Sequence, residues 1–294
     1  MSPHKAGFVN IIGSPNTGKS TLMNALTGEK LSIITSKAQT TRHRIMGIVN
    51  GENFQIVYSD TPGVIKPGYK LHESMMKHVQ NAFADADIIL FVTDIFENEF
   101  KDGSILKKIQ NAAVPVILLI NKIDLGDQIK LEERVAYWKS KVENALIIPV
   151  SALKKFNVNT VFDKIMEKLP ESPPYFPKDD ITDKSQRFFI SEIIREKIFL
   201  QTGQEIPYST AVTIESFKEN AAKQLITIHA TIYVEKDSQK GIIIGKNGSK
   251  LKQLGQAARK DIEILLDQHV LLKLWVKVQK DWTNDPRFLR ELGF

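Results

Sequence analysis

The chain has no cysteine among its 294 residues, which excludes disulfides and cysteine-based zinc sites and suits a reducing cytoplasm. Long apolar runs are also missing. The longest, Val114 to Ile120 around Pro115, falls far short of the roughly 20 residues a membrane-spanning helix needs. The first residues lead straight into an expected strand, so no signal peptide is expected. There is no internal repeat or low-complexity tract. The six histidines show no metal-ligand spacing, and His72 and His78 are expected to flank a helix as surface or core groups.

What is present is 42% hydrophobic, enough to bury sizeable cores, and the length suits two domains. The net charge of +6 is unevenly spread: residues 184–294 carry 18 lysines and arginines against 13 acids. A basic excess confined to one half points to a polyanionic partner there.

Gly13-Ser14-Pro15-Asn16-Thr17-Gly18-Lys19-Ser20 is the phosphate-loop spacing G-x-x-x-x-G-K-[ST]. Its context is right, because Gly7 to Ile12 reads as a short buried strand and Lys19 to Leu26 has the apolar spacing of a helix. Gly13 and Gly18 let the backbone turn its N–H groups and the helix N-terminus toward a β-phosphate. Lys19 adds a fixed positive charge, Ser20 offers its hydroxyl to Mg²⁺, and Thr21 lies beside it. Further on, Asn121-Lys122-Ile123-Asp124 follows an apolar run. A carboxylate at Asp124 accepts from the N1 hydrogen and 2-amino group of guanine, donors that adenine lacks, so a buried Asp124 would select guanine by roughly 10⁴- to 10⁵-fold. Asn121 is expected to pin the loops together, and Lys122 to lie along the base.

Between these motifs, Asp60-Thr61-Pro62-Gly63 follows the alternating segment Phe54 to Tyr58. Asp60 at a strand end can hold Mg²⁺, usually through water, and Gly63 supplies an N–H for a γ-phosphate. Ser36 to Arg42 is polar and without periodicity, as expected of a loop ordered by a γ-phosphate. A hydroxyl from Thr40 or Thr41 would complete the Mg²⁺ shell, and the sequence does not choose between them. Lys19, Gly63 and these threonines are the candidate catalytic groups. Ser151-Ala152-Leu153, closing the run Leu146 to Val150, is the expected place for backbone contacts to the base. All these motifs follow strands, where doubly wound α/β sheets bind ligands. The position after Gly63 is Val64, which cannot orient a water molecule, so slow intrinsic turnover is expected, roughly 10⁻⁴ to 10⁻² s⁻¹. Asn16 makes K⁺ a candidate stimulating ion.

Leu169 to Pro177 contains four prolines, cannot continue a helix, and reads as a linker. Beyond it come an amphipathic helix near Gln186 to Leu200, strands Ser209 to Phe217 and Gln224 to Glu235, a basic glycine loop, a helix from about Ser249 to Gln268, and a strand Val270 to Val278. The loop, Gly245-Lys246-Asn247-Gly248 after Gly241-Ile242-Ile243-Ile244, fits no nucleotide motif. G-x-x-G between two helices is how a KH domain clamps about four nucleotides of single-stranded RNA. Lys246 and Lys250 add salt-dependent affinity, and the Ile242 to Ile244 face with Leu251 would form the apolar floor beside the bases. Trp275 on the polar face of the last strand is expected to pack against a neighbouring segment, with base stacking as the alternative. Asn284-Asp285-Pro286 reads as a helix start. It would carry Arg287, Phe288 and Arg290 either toward RNA or into a plain docking helix.

The phosphate loop with P-N-T-G-K-S, Lys37 to Arg44, Asp60 to Gly63, Asn121 to Asp124, Gly241 to Gly248 and Leu274 to Val278 together resemble the Era family of bacterial GTPases, over essentially the whole chain. The resemblance implies an α/β fold: a doubly wound P-loop GTPase domain over 1–170, a proline-rich linker over 171–183 and a smaller α+β type II KH domain over 184–294. It also implies GTP or GDP and Mg²⁺ as ligands, a KH grip on the 3′ end of small-subunit (16S) ribosomal RNA, assistance to 30S assembly, and a hydrophobic residue at the Val64 position. Peripheral association with the cytoplasmic face of the inner membrane is implied for relatives, and a cytoplasmic monomer is expected. Two other readings compete: an RNA chaperone that senses GTP without needing to hydrolyse it, and a membrane signalling GTPase.

Overall fold

The computed structural model describes residues 3–294 apart from Ser36, Ala38, Gln204, Ala221 and Lys223; Ser36 and Ala38 of the polar loop named above therefore lie outside the described residues. The chain forms two compact units, the first running to Asp183 except for Tyr69–Leu71, which group with the second, Lys184–Phe294.

In the first unit, β1 (Lys5–Ile12), β2 (Ile45–Asn50), β3 (Phe54–Asp60), β4 (Ile88–Asp94), β5 (Val116–Asn121) and β6 (Leu146–Pro149) form one sheet in the order β2-β3-β1-β4-β5-β6. All neighbours are parallel except the β2–β3 edge pair. Every residue of β4 and β5 is buried, which is why these segments read as unbroken apolar runs without alternation. The helices are α1 (Lys19–Thr27), α2 (Lys70–Ala84), α3 (Gly103–Gln110), α4 (Gln128–Lys141) and α5 (Val158–Lys168). His72 and His78 lie within α2, not at its flanks as expected. One side of the sheet centres on Phe91, which meets Phe100 and Trp138 edge-on at 5.1 and 5.2 Å. Val64 is buried in the same cluster.

The segment read as a linker is strapped to this unit. The Ala6 N–H donates to Pro170 O at 3.1 Å and the Ile48 N–H to Ile181 O at 2.9 Å. Thr182 Oγ1 donates to Met46 O at 2.7 Å. The Gln55 amide donates to Phe176 O and accepts from the N–H groups of Tyr175 and Phe176. Prolines block a helix but leave an extended chain whose carbonyls can cap the exposed edge of β2.

In the second unit, α6 (Gln186–Gln201) precedes β7 (Ala211–Asn220) and β8 (Leu225–Val234), then α7 (Asp237–Ile244), α8 (Ser249–Leu266), β9 (His269–Val278) and α9 (Pro286–Glu291). The sheet order is β7-β8-β9, antiparallel then parallel. Ile226, Ile228, Ala230, Ile232 and Val234 share one face of β8 and pack with Ile190, Ile194 and Ile198 of α6 and with Leu254, Ala258 and Ile262 of α8, each helix contributing one apolar stripe. A bulge between Ile214 and Ser216 lets β7 run to Asn220. α8 stops at Leu266 because Asp267 turns left-handed (φ 49°). Asp285 caps α9 by accepting from the N–H groups of Arg287 and Phe288, with Pro286 in the first turn.

Candidate nucleotide and RNA sites

The C-terminal ends of β1, β3, β4, β5 and β6 deliver the motifs to one side of the first sheet. There they surround a cavity of about 380 Å³ lined by Pro15, Asn16, Gly18, Lys19, Ser20, Thr21, Thr40, Thr41, Thr61, Gly63, Asn121, Lys122, Asp124 and Leu153 among others. Gly13, Ser14, Thr17, Asp60, Pro62, Ser151 and Ala152 stand behind this lining, holding it. The backbone geometry explains the glycines. A Cβ on Gly18, whose φ is +92°, would lie 2.3 Å from Asn121 Nδ2, and one on Gly63 would lie 2.7 Å from the Cα of Pro15.

Lys19 is 5% exposed, and its ammonium donates to Ser14 O at 2.7 Å. Burial lowers its pKa to about 8, against the pull of Asp60 and Glu97, while Lys122 pushes the same way as burial. A desolvated cation at a helix N-terminus is a strong attractor for phosphate. Asp60 is fully buried. Its Oδ2 accepts from Ser20 Oγ at 2.7 Å and Thr41 Oγ1 at 3.2 Å, the two hydroxyl oxygens are 2.8 Å apart, and its Oδ1 has no hydrogen-bond partner. Burial raises the Asp60 carboxyl above the usual range, opposed by the Ser20 hydrogen bond and the charge of Lys19. Two hydroxyls gathered on a buried carboxylate whose second oxygen lacks a partner suit a hard divalent cation such as Mg²⁺.

Of the two threonines left open by the sequence, Thr41 reaches this cluster. Thr40, which also lines the cavity, does not: its Oγ1 is 2.6 Å from Thr35 Oγ1 and donates to Lys37 O at 2.7 Å, within its own loop. Val64 donates its N–H to Gly13 O at 3.0 Å while its side chain stays in the core, so it offers nothing to a water molecule.

At the other end, Asn121 donates to Thr17 O at 2.8 Å and accepts from the Ala152 N–H at 2.9 Å, joining the phosphate loop to the β6 loop. Ser151 Oγ donates to Asp124 Oδ1 at 2.6 Å, fixing the carboxylate that would face a base. Asp124 is exposed at the lining of the cleft, carried there by the single turn Ile123–Leu125, where a bound base would cover it. Lys122 adopts φ 60° and its ammonium is held by Asp94 at 2.7 Å.

Sequence reasoning missed the turn after β4. Glu97 accepts hydrogen bonds from Ser14 Oγ and, at 2.6 Å, from Thr93 Oγ1, and burial raises its carboxyl above the usual range despite these bonds. Asp94 Oδ1 accepts from the N–H groups of Phe96 and Glu97. One turn thus braces both the phosphate loop and the base-facing lysine. Its signal was positional: Asp94 to Glu97 close a buried strand, as the other motifs do.

In the second unit, the loop joining α7 and α8 has φ of 70° at Gly245, 52° at Asn247 and 75° at Gly248. A Cβ on Gly245 would lie 2.7 Å from Lys250 Cγ, whereas one on Gly248 would meet nothing within 4 Å. Gly241, Lys246, Asn247 and Lys250 are exposed and Ile242 is 45% exposed, but Ile243 is 1% exposed. Ile243 therefore belongs to the core, and Ile244 packs partly against it, which corrects the expectation of a three-isoleucine floor: a helix cannot turn three consecutive residues outward. Phe288 is buried against Tyr233, with ring centres 4.9 Å apart, so α9 docks through it.

Residues 8–122 match the family described as 50S ribosome-binding GTPase, and residues 205–283 match the KH domain. The chain is 45% identical over 296 aligned positions to the GTPase Era of Staphylococcus haemolyticus (strain JCSC1435), covering 100% of this chain and 98% of that one. It superposes with a TM-score of 0.93 and 40% identity, covering 99% of each chain, on a crystal structure of Era in complex with MgGDPNP and nucleotides 1506–1542 of 16S ribosomal RNA. An Aquifex aeolicus Era variant bound to GDP and AlF₄⁻ gives 0.92 at 39% identity, covering 98% of this chain and 99% of that one. With agreement of this extent across both units, the chain belongs to the Era family of GTPases, a P-loop GTPase domain followed by a KH domain.

Proposed function

We propose that this GTPase works as a GTP-dependent switch that binds the 3′ end of small-subunit ribosomal RNA through its KH domain and assists assembly of the 30S subunit in the cytoplasm. The carrying observation is the cleft with Lys19, Ser20, Thr41 and Asp60 at one end and the Ser151-held carboxylate of Asp124 at the other, in a chain whose second unit presents an exposed basic G-x-x-G loop. The relative solved with GTP analogue and ribosomal RNA supports extending both ligands to this protein.

In the reaction, water attacks the γ-phosphorus of GTP, the bond to the β–γ bridging oxygen breaks, and GDP and inorganic phosphate are released. Lys19 and the N–H groups of the Gly13–Gly18 loop and of Gly63 stabilise charge on the phosphate oxygens. Ser20, Thr41 and Asp60 would hold Mg²⁺, which when bound neutralises charge on the β- and γ-phosphates. Asp124 and Lys122 select and orient guanine, and Asn121 keeps the two ends in register. With Val64 in the core no side chain there positions the water, so intrinsic turnover is slow and rises on contact with a partner. K⁺ bound beside Asn16, whose backbone is left-handed at φ 66°, is one such aid. Single-turnover hydrolysis should be faster in KCl than in NaCl at equal ionic strength; equal rates would remove K⁺ from the mechanism.

A coupling of about 1 to 3 kcal/mol between the two sites is enough for a switch. Multiple-turnover GTP hydrolysis stimulated by 30S subunits, together with RNA affinity that differs between a GTP analogue and GDP, supports the proposal. The chaperone reading draws on Val64 and requires RNA affinity indifferent to the nucleotide. Among the described residues no helix is long and apolar enough to cross a membrane. Peripheral membrane contact would draw on the basic surface alone and requires vesicle binding that survives salt; a monomer is proposed in solution.

A further inference from the structure

The three-stranded sheet of the second unit has two faces, and the core accounts for only one. Strand pairing places Lys218 opposite Thr227, Thr213 opposite Thr231, Thr231 opposite Trp275, His229 opposite Lys273 and Tyr233 opposite Lys277. These residues alternate with the buried isoleucines and so share the outer face. Trp275 is 44% exposed on that face, with the His229 ring 5.1 Å away and tilted toward it. Lys273 and Lys277 flank it on the same strand, two residues to either side, and Leu271, 44% exposed, extends the stripe. The acid here, Glu215, accepts the Thr213 hydroxyl at 2.7 Å and lies near Lys277, so it is already engaged. Helix α9 covers the far end, where Phe288 packs on Tyr233 and Glu291 lies near the phenol. At the Trp275 end Leu271, Lys273, Trp275 and Lys277 are exposed, while Thr231 beside the indole is buried.

A single exposed aromatic needs no explanation, but an exposed tryptophan set between lysines on a flat strand is the composition of a nucleic-acid stacking platform. Position adds to composition. β9 is an edge strand, and both helices that carry the G-x-x-G loop pack against its inner face, so a strand leaving the clamp, which itself holds only about four nucleotides, passes this edge to reach the outer face. We propose that the outer face of β9, centred on Trp275 with His229, Lys273, Lys277 and Lys218, is a second binding surface for single-stranded RNA. It receives bases outside the clamp by stacking on the indole, with the lysines taking the phosphates. This rests on the reading that the KH loop binds RNA, and the test separates the two.

The three tryptophans make the test direct, because Trp138 and Trp282 are fully buried and Trp275 is not. The full-length protein with Mg²⁺ and a GTP analogue is titrated with a strand of about 20 nucleotides from the 3′ end of 16S ribosomal RNA and with a strand of about 5 nucleotides, long enough only for the clamp. The long strand should shield Trp275 from acrylamide quenching, and Trp275→Ala should weaken its binding roughly 5- to 100-fold while leaving the short strand's affinity within twofold. Trp275→Phe should recover part of the loss, and Lys273→Gln with Lys277→Gln should flatten the salt dependence. In Gly248→Asp the short strand should be lost while the long strand still shields Trp275, which isolates the platform from the clamp. If the long strand binds the unmodified protein tightly but neither shields Trp275 nor responds to Trp275→Ala, the platform is refuted and the clamp stands. Shielding by 30S subunits but not by the free strand would assign the face to another component of the subunit and likewise overturn the proposal.

Discussion

Glu97 shows what a single side chain contributes that no motif announces. Its carboxylate takes the hydroxyls of Ser14 and Thr93 from behind the phosphate loop, and burial raises its pKa above the ordinary value. The folded protein therefore holds this proton more tightly than the unfolded chain, and the contribution of Glu97 to stability falls as pH rises through the window above the ordinary carboxylate pKa. Glu97→Gln should flatten that part of the stability–pH profile, measured by chemical denaturation between about pH 4 and 7, from the ordinary carboxylate range upward, and should weaken nucleotide binding about 2- to 10-fold through one lost hydrogen bond. An unchanged pH slope would show that Glu97 does not hold the proton. Thr40 and Thr41 make the complementary point. Adjacent and chemically identical, they are indistinguishable in sequence, and only the path of the chain brings Thr41 to Ser20 and Asp60. Thr41→Ala should raise the Mg²⁺ concentration needed for half-maximal hydrolysis about tenfold, the effect of losing one charge-assisted hydrogen-bonding ligand, whereas Thr40→Ala should shift it little; the reverse order would reassign the ligand.

Elements whose chemistry is local are legible in the sequence. The turn from β1 into α1 is written in glycine spacing, the cap of α9 in Asp285-Pro286, and the G-x-x-G turn in two glycines between helical patterns. What escapes depends on partners far along the chain. Residues 171–183 look like a free linker because prolines signal only the absence of a helix, and their hydrogen bonds to Met46, Ile48 and Gln55 are invisible until β2 is placed at a sheet edge. The expected isoleucine floor likewise ignored the helical period that sends Ile243 inward. The two clamp glycines should differ in kind. Gly245→Ala forces a Cβ against Lys250 and should lower the melting temperature as well as RNA affinity. Gly248→Asp meets no atom but adds strain at φ 75° and a negative charge, and should cost RNA affinity at least tenfold with nucleotide affinity unchanged. Binding of a strand of about 5 nucleotides, long enough only for the clamp, that survives both would remove the clamp.

At the scale of the whole molecule, the chain joins a nucleotide cleft to a basic KH unit, and the uneven charge of the sequence already separated the two. Fold and family were legible because the motifs occur in the order that a doubly wound sheet followed by a KH domain requires, and alternation already set Trp275 on the polar face of β9; the bracing turn after β4 was not legible, since it carries no spacing signature. Everything in the functional account depends on the cleft choosing guanine through Asp124, although that carboxylate stands at the surface. The most direct measurement is calorimetric titration of the Mg²⁺-supplied protein with GTP and with ATP. The account predicts GTP bound on the order of 10⁴-fold more tightly, and equal affinities would contradict it.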